Sequence, residues 1–241
     1  MSFKEPVVIV ALDYASAEEA LALASTLSPR DCRLKVGLEL FVAAGPRIVD
    51  ALQNLGFDVF LDLKFHDIPN TVARACSRAY DAGVWMMNVH ALGGPRMLAA
   101  ARAAVPPGTR LIGVTVLTSH DAAEIVALGL GEGGARVRAL AGMCREAGLD
   151  GVVCSPREAA LLADLRGDGF VLVTPGIRPA GTPADDQRRT ASVAEALRAG
   201  ADYLVIGRPI TKDPDPAAAL ARCVAEARAQ ELGIGTDEDG R

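Results

Sequence analysis

Eight short apolar runs recur along the chain: 6–13, 33–37, 57–65, 84–90, 111–116, 151–154, 170–174 and 203–206. They are dense in Val, Ile, Leu and aromatic residues and show little polar alternation, the pattern of strands buried on both faces. Helical segments separate them. Ser16 with Glu19 three residues on forms a capping box that predicts a helix to about Leu27. A second helical segment runs from Gly37 to about Leu55, and a third from Pro69 to about Asp81, closed by Gly83. An alanine-rich helix follows Gly93-Gly94-Pro95, and a longer helical excursion follows Leu117-Thr118-Ser119. Ser155-Pro156 opens another helix, one more follows Thr190, and the last spans roughly Pro216 to Gln230.

Strand and helix thus alternate at intervals of about 20–35 residues, which predicts a single-domain α/β fold, a (β/α)8 TIM barrel over 1–230. Residues 231–241 read as a polar, loose tail. A doubly wound open sheet is the alternative, but it calls for a phosphate fingerprint after the first strand, and Asp13-Tyr14-Ala15-Ser16 is not one. The glycines from Gly129 to Gly134 lie between helical pieces and read as a turn.

Composition narrows the function. The 241 residues are half hydrophobic, enough for one large domain. No run approaches a membrane span, and the N-terminus lacks a signal-peptide pattern, so a cytoplasmic protein with no membrane partner is expected. The five cysteines (Cys32, Cys76, Cys144, Cys154, Cys223) never fall in C-x-x-C spacing and read as reduced packing residues. A net charge of −5 argues against a nucleic-acid partner, while a few local arginines suffice for a small anion.

The densest chemistry lies at the end of the third strand, in Asp62-x-Lys64-x-x-Asp67. On an extended backbone Asp62 and Lys64 share one face. Two carboxylates about 4 Å apart repel by roughly 4 kcal/mol at an effective dielectric near 20. A lysine between them offsets that cost, and the carboxylates keep it protonated as a ready proton donor. The plainer reading is a structural ion pair with Asp67 capping the next helix.

Barrel active sites gather at the C-terminal ends of the strands. There the chain places Asp13, Lys35, Asp62, Lys64, His90, Thr118, Ser155, Arg178 and Arg208. Gly207 and Arg208, after the eighth strand, suit a phosphate: backbone opened by glycine, and a planar cation beside it. The long polar loop from Pro175 to about Thr190, carrying Arg178 and Gln187, is the lid candidate. Asp13 and Lys35 serve sugar hydroxyls or the charge network, or else form a barrel-filling ion pair. Ser155 reads first as a helix cap and Thr118 as a loop hydroxyl. His66 and His90 lack metal-ligand spacing and read as structural.

These residues carry a resemblance. Ala11-Leu12-Asp13, Lys35-Val36-Gly37, the run Asp62-Leu63-Lys64-Phe65-His66-Asp67-Ile68-Pro69-Asn70-Thr71, Leu117-Thr118-Ser119, Cys154-Ser155-Pro156, Pro175-Gly176-Ile177-Arg178-Pro179 and Ile206-Gly207-Arg208-Pro209-Ile210 resemble the orotidine 5′-phosphate decarboxylase family of the common bacterial type. The resemblance spans nearly the whole chain. It implies a homodimeric barrel converting orotidine 5′-phosphate to uridine 5′-phosphate and CO2, in pyrimidine biosynthesis, with no cofactor or metal. It implies that Lys64 protonates C6, that Asp62 faces the departing carboxylate, and that Lys35 completes the charge network. Asp67 and Thr71 would reach into the partner subunit's site. Asp13 would hold ribose hydroxyls, Ser155 the pyrimidine amide edge, and Gln187, Gly207 and Arg208 the phosphate, with Thr118 and Arg178 as further substrate contacts.

Two alternatives stand beside it. Mg²⁺-dependent sugar-phosphate decarboxylases and aldolases resemble this barrel and share the D-x-K-x-x-D strand. They carry an acid on the second strand, where Lys35 would oppose a cation. A non-catalytic barrel binding a phosphate ligand is the other; its signature is nucleotide binding without CO2 release.

Overall fold

The computed structural model describes residues 5–167, 169–179 and 190–232. Eight parallel strands close into a barrel in chain order: β1 (Val8–Leu12), β2 (Cys32–Val36), β3 (Val59–Phe65), β4 (Met86–His90), β5 (Arg110–Val114), β6 (Gly151–Val153), β7 (Val171–Pro175) and β8 (Tyr203–Ile206), with β8 returning to β1. The expected (β/α)8 architecture is therefore present, and the open-sheet alternative is not. Five strands (β1, β3, β4, β5 and β6) are shorter than the apolar runs that announced them, β2 and β7 keep their length but shift by one residue, and β8 matches.

The helices are α1 (Ala17–Ala24), α2 (Leu38–Ala44), α3 (Arg47–Asn54), α4 (Pro69–Asp81), α5 (Gly94–Ala103), α6 (Ala122–Ala127), α7 (Gly133–Glu146), α8 (Pro156–Ala159), α9 (Val193–Arg198), α10 (Arg208–Thr211) and α11 (Pro216–Glu231). The single helix expected from Gly37 to Leu55 is two. Gly45 takes a positive φ of 68° and Pro46 follows it, so the helical ladder ends and restarts at Arg47. The Ser16 cap is made: its hydroxyl accepts from the Glu19 amide at 3.3 Å. The Gly129–Gly134 stretch is the expected connection, between α6 and α7. The expected tail falls outside the described residues from 233 onward.

Two apolar cores result from closing the sheet. Outward-facing side chains such as Val8, Leu34, Val59, Met87, Leu172 and Leu204 pack under the helices. Inward-facing ones, including Ile9, Ala11, Phe60, Met86, Ile112, Val173 and Val205, fill the barrel. The five cysteines are all buried free thiols.

The barrel floor is sealed by a cation. Arg33, on β2, is only 3% exposed. Its guanidinium lies 4.0 Å from the Trp85 ring centre and 5.5 Å from that of Tyr203. It donates to Glu5 at 2.6 Å, to Asp58 at 3.1 Å and to the Pro6 carbonyl. The planar, weakly hydrated guanidinium suits this place between two rings. Arg33 does not line the pocket at the opposite, C-terminal end of the strands.

Candidate active site at the barrel mouth

The mouth holds a pocket of about 900 Å³ counting its opening to solvent, the size range of small-molecule sites. Asp13, Lys35, Asp62, Lys64, Thr118, Arg178, Gly207 and Arg208 line it, over a base of Ala11, Phe60, Val114, Val153, Val173 and Val205. Eight expected site residues from six strand ends thus converge on one cavity.

Three strands contribute an alternating string of charges. Lys35 Nζ sits 3.2 Å from Asp13 Oδ1 and 3.3 Å from Asp62 Oδ2, and Lys64 Nζ donates to Asp62 Oδ1 at 2.6 Å. Lys35 and Asp62 are buried, whereas Asp13 and Lys64 face the opening. Burial pushes the Asp62 carboxyl up, but the Lys35 and Lys64 ammoniums and hydrogen bonds from Lys64 and Asn88 outweigh it and hold it below its ordinary value. Burial likewise presses Lys35 down, and the Asp62 and Asp13 carboxylates more than reverse that. Gly37 belongs to the same arrangement, because a Cβ there would stand 3.1 Å from Lys35 Nζ.

The backbone that presents Lys64 is not the flat strand expected. Leu61 pairs with Met87 and Phe65 with Val89, so Asp62, Leu63 and Lys64 bulge opposite Asn88 alone. Lys64 adopts a φ of 51°, the one positive φ outside glycine among the described residues. The Asn88 side chain bridges the bulge: its Oδ1 accepts from the Lys64 amide at 2.7 Å and its Nδ2 donates to Asp62 Oδ1 at 2.7 Å. Sequence reading passed over Asn88. The available signal was one amide in the otherwise apolar run Met86-Met87-Asn88-Val89.

Ser155 sits at the N-cap position of α8 and is fully buried. The Glu158 carboxylate accepts from its backbone amide at 2.8 Å, while Oγ makes no hydrogen bond among the described residues. The plain capping role is therefore only half fulfilled. Thr118 is half-buried at the pocket wall. Gly207 precedes α10, and Arg208 begins that short helix at the rim. Arg178 lines the pocket and also donates to the Ile177 carbonyl at 3.1 Å. Gln187, and most of the expected lid, lie outside the described residues.

Asp67 and Thr71 are exposed and do not line this pocket. Asp67 does not cap α4 in the ordinary way either. Ile68 occupies the N-cap position, and Asp67 Oδ1 accepts from the Ile68 amide at 2.6 Å. His66 and His90 stack with ring centres 5.4 Å apart beside this rim. Among the described residues no group of three or more His, Cys, Asp or Glu is placed to hold a metal ion, and no helix is long and apolar enough to cross a membrane.

Known proteins resemble this chain over most of its length. Residues 6–223 match the model of the orotidine 5′-phosphate decarboxylase / HUMPS family. Orotidine 5′-phosphate decarboxylase of Nitrosospira multiformis is 58% identical over 220 residues, covering 90% of this chain and 92% of the relative. The enzyme of that name from Halorhodospira halophila is 57% identical over 225 residues, covering 92% and 95%. Among solved structures, orotidine 5′-phosphate decarboxylase from Lactobacillus acidophilus superposes with a TM-score of 0.80 at 38% identity, covering 94% of this chain and all of that one. By motif, fold and length, the chain belongs to the orotidine 5′-phosphate decarboxylase / HUMPS family.

Proposed function

We propose that the protein decarboxylates orotidine 5′-phosphate to uridine 5′-phosphate, within pyrimidine biosynthesis in the cytoplasm, using its own side chains as the catalytic groups. The observation that carries this reading is the alternating string Asp13–Lys35–Asp62–Lys64 along one wall of the mouth pocket. When the bond from C6 to the carboxylate breaks, its electron pair stays on C6 and CO2 departs. A ring carbanion of this kind has no covalent electron sink, so fixed charge must stabilise it. The Lys64 ammonium serves that need, then delivers a proton to C6 and recovers one from water. Asp62 stands beside the departing carboxylate. Gly207 and Arg208, at the end of β8, hold the phosphate, with Gln187 as a further phosphate contact, and that grip away from the reacting carbon supplies binding energy for orienting the ring. Asp13 takes the ribose hydroxyls, Ser155 the pyrimidine amide edge, and Thr118 and Arg178 further substrate atoms.

The active form is a homodimer in which Asp67 and Thr71 complete the partner's site. Both are exposed next to the mouth yet outside its pocket. Exposed apolar side chains follow three consecutive strands on the same rim: Leu38 and Val42 after β2, Ile68 after β3 and Leu92 after β4. Val42 is 82% exposed and Ile68 67%, which suits a surface covered by a second copy.

The test is an assay with orotidine 5′-phosphate in chelator, following CO2 release and the ultraviolet change, with Lys64→Ala as control. Turnover that survives the chelator and collapses in the variant supports the reading. A folded dimer inert on this substrate but active on a sugar phosphate with Mg²⁺ would replace it with the alternative chemistry. Nucleotide binding with no turnover on either would leave a binding module.

A further inference from the structure

Asn88 makes no contact with the pocket: it is fully buried behind Asp62 and Lys64 and does not line the cavity. Both ends of its amide are nonetheless engaged by those two residues, one through a side chain and the other through its backbone. The geometry fixes which end is which, because an amide N–H can only donate to Oδ1 and a carboxylate can only accept from Nδ2. The bulge opposite Asn88 strips the backbone of its ordinary ladder partners for three residues. Without a replacement acceptor, the Lys64 amide would be unpaired in a partly buried site, and the left-handed φ of 51° would lose its restraint. Asp62 would lose its one uncharged partner as well and be held by the two ammoniums alone. At present Oδ1 faces Lys64 and Asn88, and Oδ2 faces Lys35.

Resting on the proposed reaction, we infer that Asn88 is a positioning residue: its side-chain amide holds the β3 bulge and the Asp62 carboxylate in the one arrangement that aims the Lys64 ammonium into the pocket. It acts through those two residues and touches no substrate. A single amide from the neighbouring strand therefore bears on both the carboxylate of the acid and the backbone of the proton donor. The charged groups bearing on Asp62 are Lys35 and Lys64, and neither fixes the Lys64 backbone.

Two variants separate positioning from bulk stability. Asn88→Ala removes both bonds. Asn88→Asp is nearly isosteric, keeps an acceptor for the Lys64 amide, and sets a second carboxylate against Asp62. Turnover of orotidine 5′-phosphate, affinity for uridine 5′-phosphate, and the Asp62 carboxyl titration followed by carbon-13 NMR are measured for both and for the wild type. In both variants kcat is expected to fall by about 10²-fold or more, the scale of a misplacement of about 1 Å at a reacting group. Nucleotide affinity should stay within about threefold, since the phosphate grip follows β8, away from β3 and β4. The Asp62 titration should move to higher pH, further in Asn88→Asp than in Asn88→Ala.

An unmoved Asp62 titration in both folded variants would overturn the inference. So would a kcat within about threefold of an active wild type. Failure of both variants to fold would assign Asn88 to the fold rather than to the ion pair, and would overturn it too. A wild type inert on the substrate would sink the functional reading instead, and the titration would still decide the role of Asn88.

Discussion

Lys64 Nζ lies 2.6 Å from Asp62 Oδ1 although the backbone between them is bulged rather than flat, with Lys64 at a φ of 51°. Their closeness comes from a backbone excursion that the neighbouring strand pins in place. In the proposed step a positive charge here is not sufficient, because a proton must also leave. Lys64→Arg keeps the cation in the string yet has no proton to give at any working pH. Turnover is expected to fall by at least about 10³-fold, near the upper part of the range for a general acid, while uridine 5′-phosphate still binds. Single-turnover CO2 release against calorimetric nucleotide binding checks this.

The exposed Asp67, outside its own pocket, predicts complementation. Asp67→Ala and Lys64→Ala subunits, each inactive alone, should regain activity when mixed, because a hybrid dimer carries one intact site. Full exchange at equal amounts restores about a quarter of wild-type activity, as symmetric pairing requires. No recovery from heterodimers verified by native mass spectrometry would refute the shared site.

Ser155 predicts a separation of stability from affinity. Its hydroxyl is buried without a partner, so Ser155→Ala removes an unsatisfied group and should leave stability unchanged or higher by up to about 1 kcal/mol. If the hydroxyl serves the pyrimidine edge, KM should rise by roughly tenfold, the worth of one hydrogen bond. Denaturant melts and steady-state kinetics on the same preparation read both.

His90 predicts a pH dependence. Burial, followed by the nearby His66, Lys64 and His120, presses its pKa down to about 4. A histidine whose folded pKa is lowered stays neutral in the native state while the unfolded chain takes up a proton. Its contribution to stability is therefore complete above the unfolded value of about 6.5 and is lost as pH falls from there towards about 4. His90→Gln should make the stability curve flatter across that window and leave it parallel to wild type above about pH 7. Urea midpoints of the two proteins at matched pH test this.

The floor of the barrel predicts a loss confined to stability. Arg33→Met gives up the contacts with Trp85 and Tyr203 and leaves Glu5 and Asp58, each about half exposed, to rehydrate. Stability should drop by about 2–4 kcal/mol, lowering Tm by roughly 5–15 °C for a chain of this size. Turnover per folded molecule should hold, because the site is at the other end of the barrel.

The sequence by itself determined the barrel and most of its mouth. Strands buried on both faces must be apolar throughout, so eight such runs separated by amphipathic or alanine-rich segments admit few arrangements, and any charge at a run's end stands out. Asp13, Lys35, Asp62, Lys64, Gly207 and Arg208 were legible for that reason. The tertiary structure alone decided how they meet. Strand alternation suggested a flat Asp62–Lys64 pair, but register is a relation between strands, and the three-against-one bulge appears only when β3 is laid against β4. Asn88 was illegible for the same cause: one amide in an apolar strand acquires its meaning from the backbone it faces across the ladder. Arg33 was as silent, since nothing local distinguishes a cation under two aromatic rings, one 52 residues and the other 170 residues away in the chain. Local pattern fixes which faces are buried; long-range closure of the barrel fixes which polar groups must satisfy one another inside it.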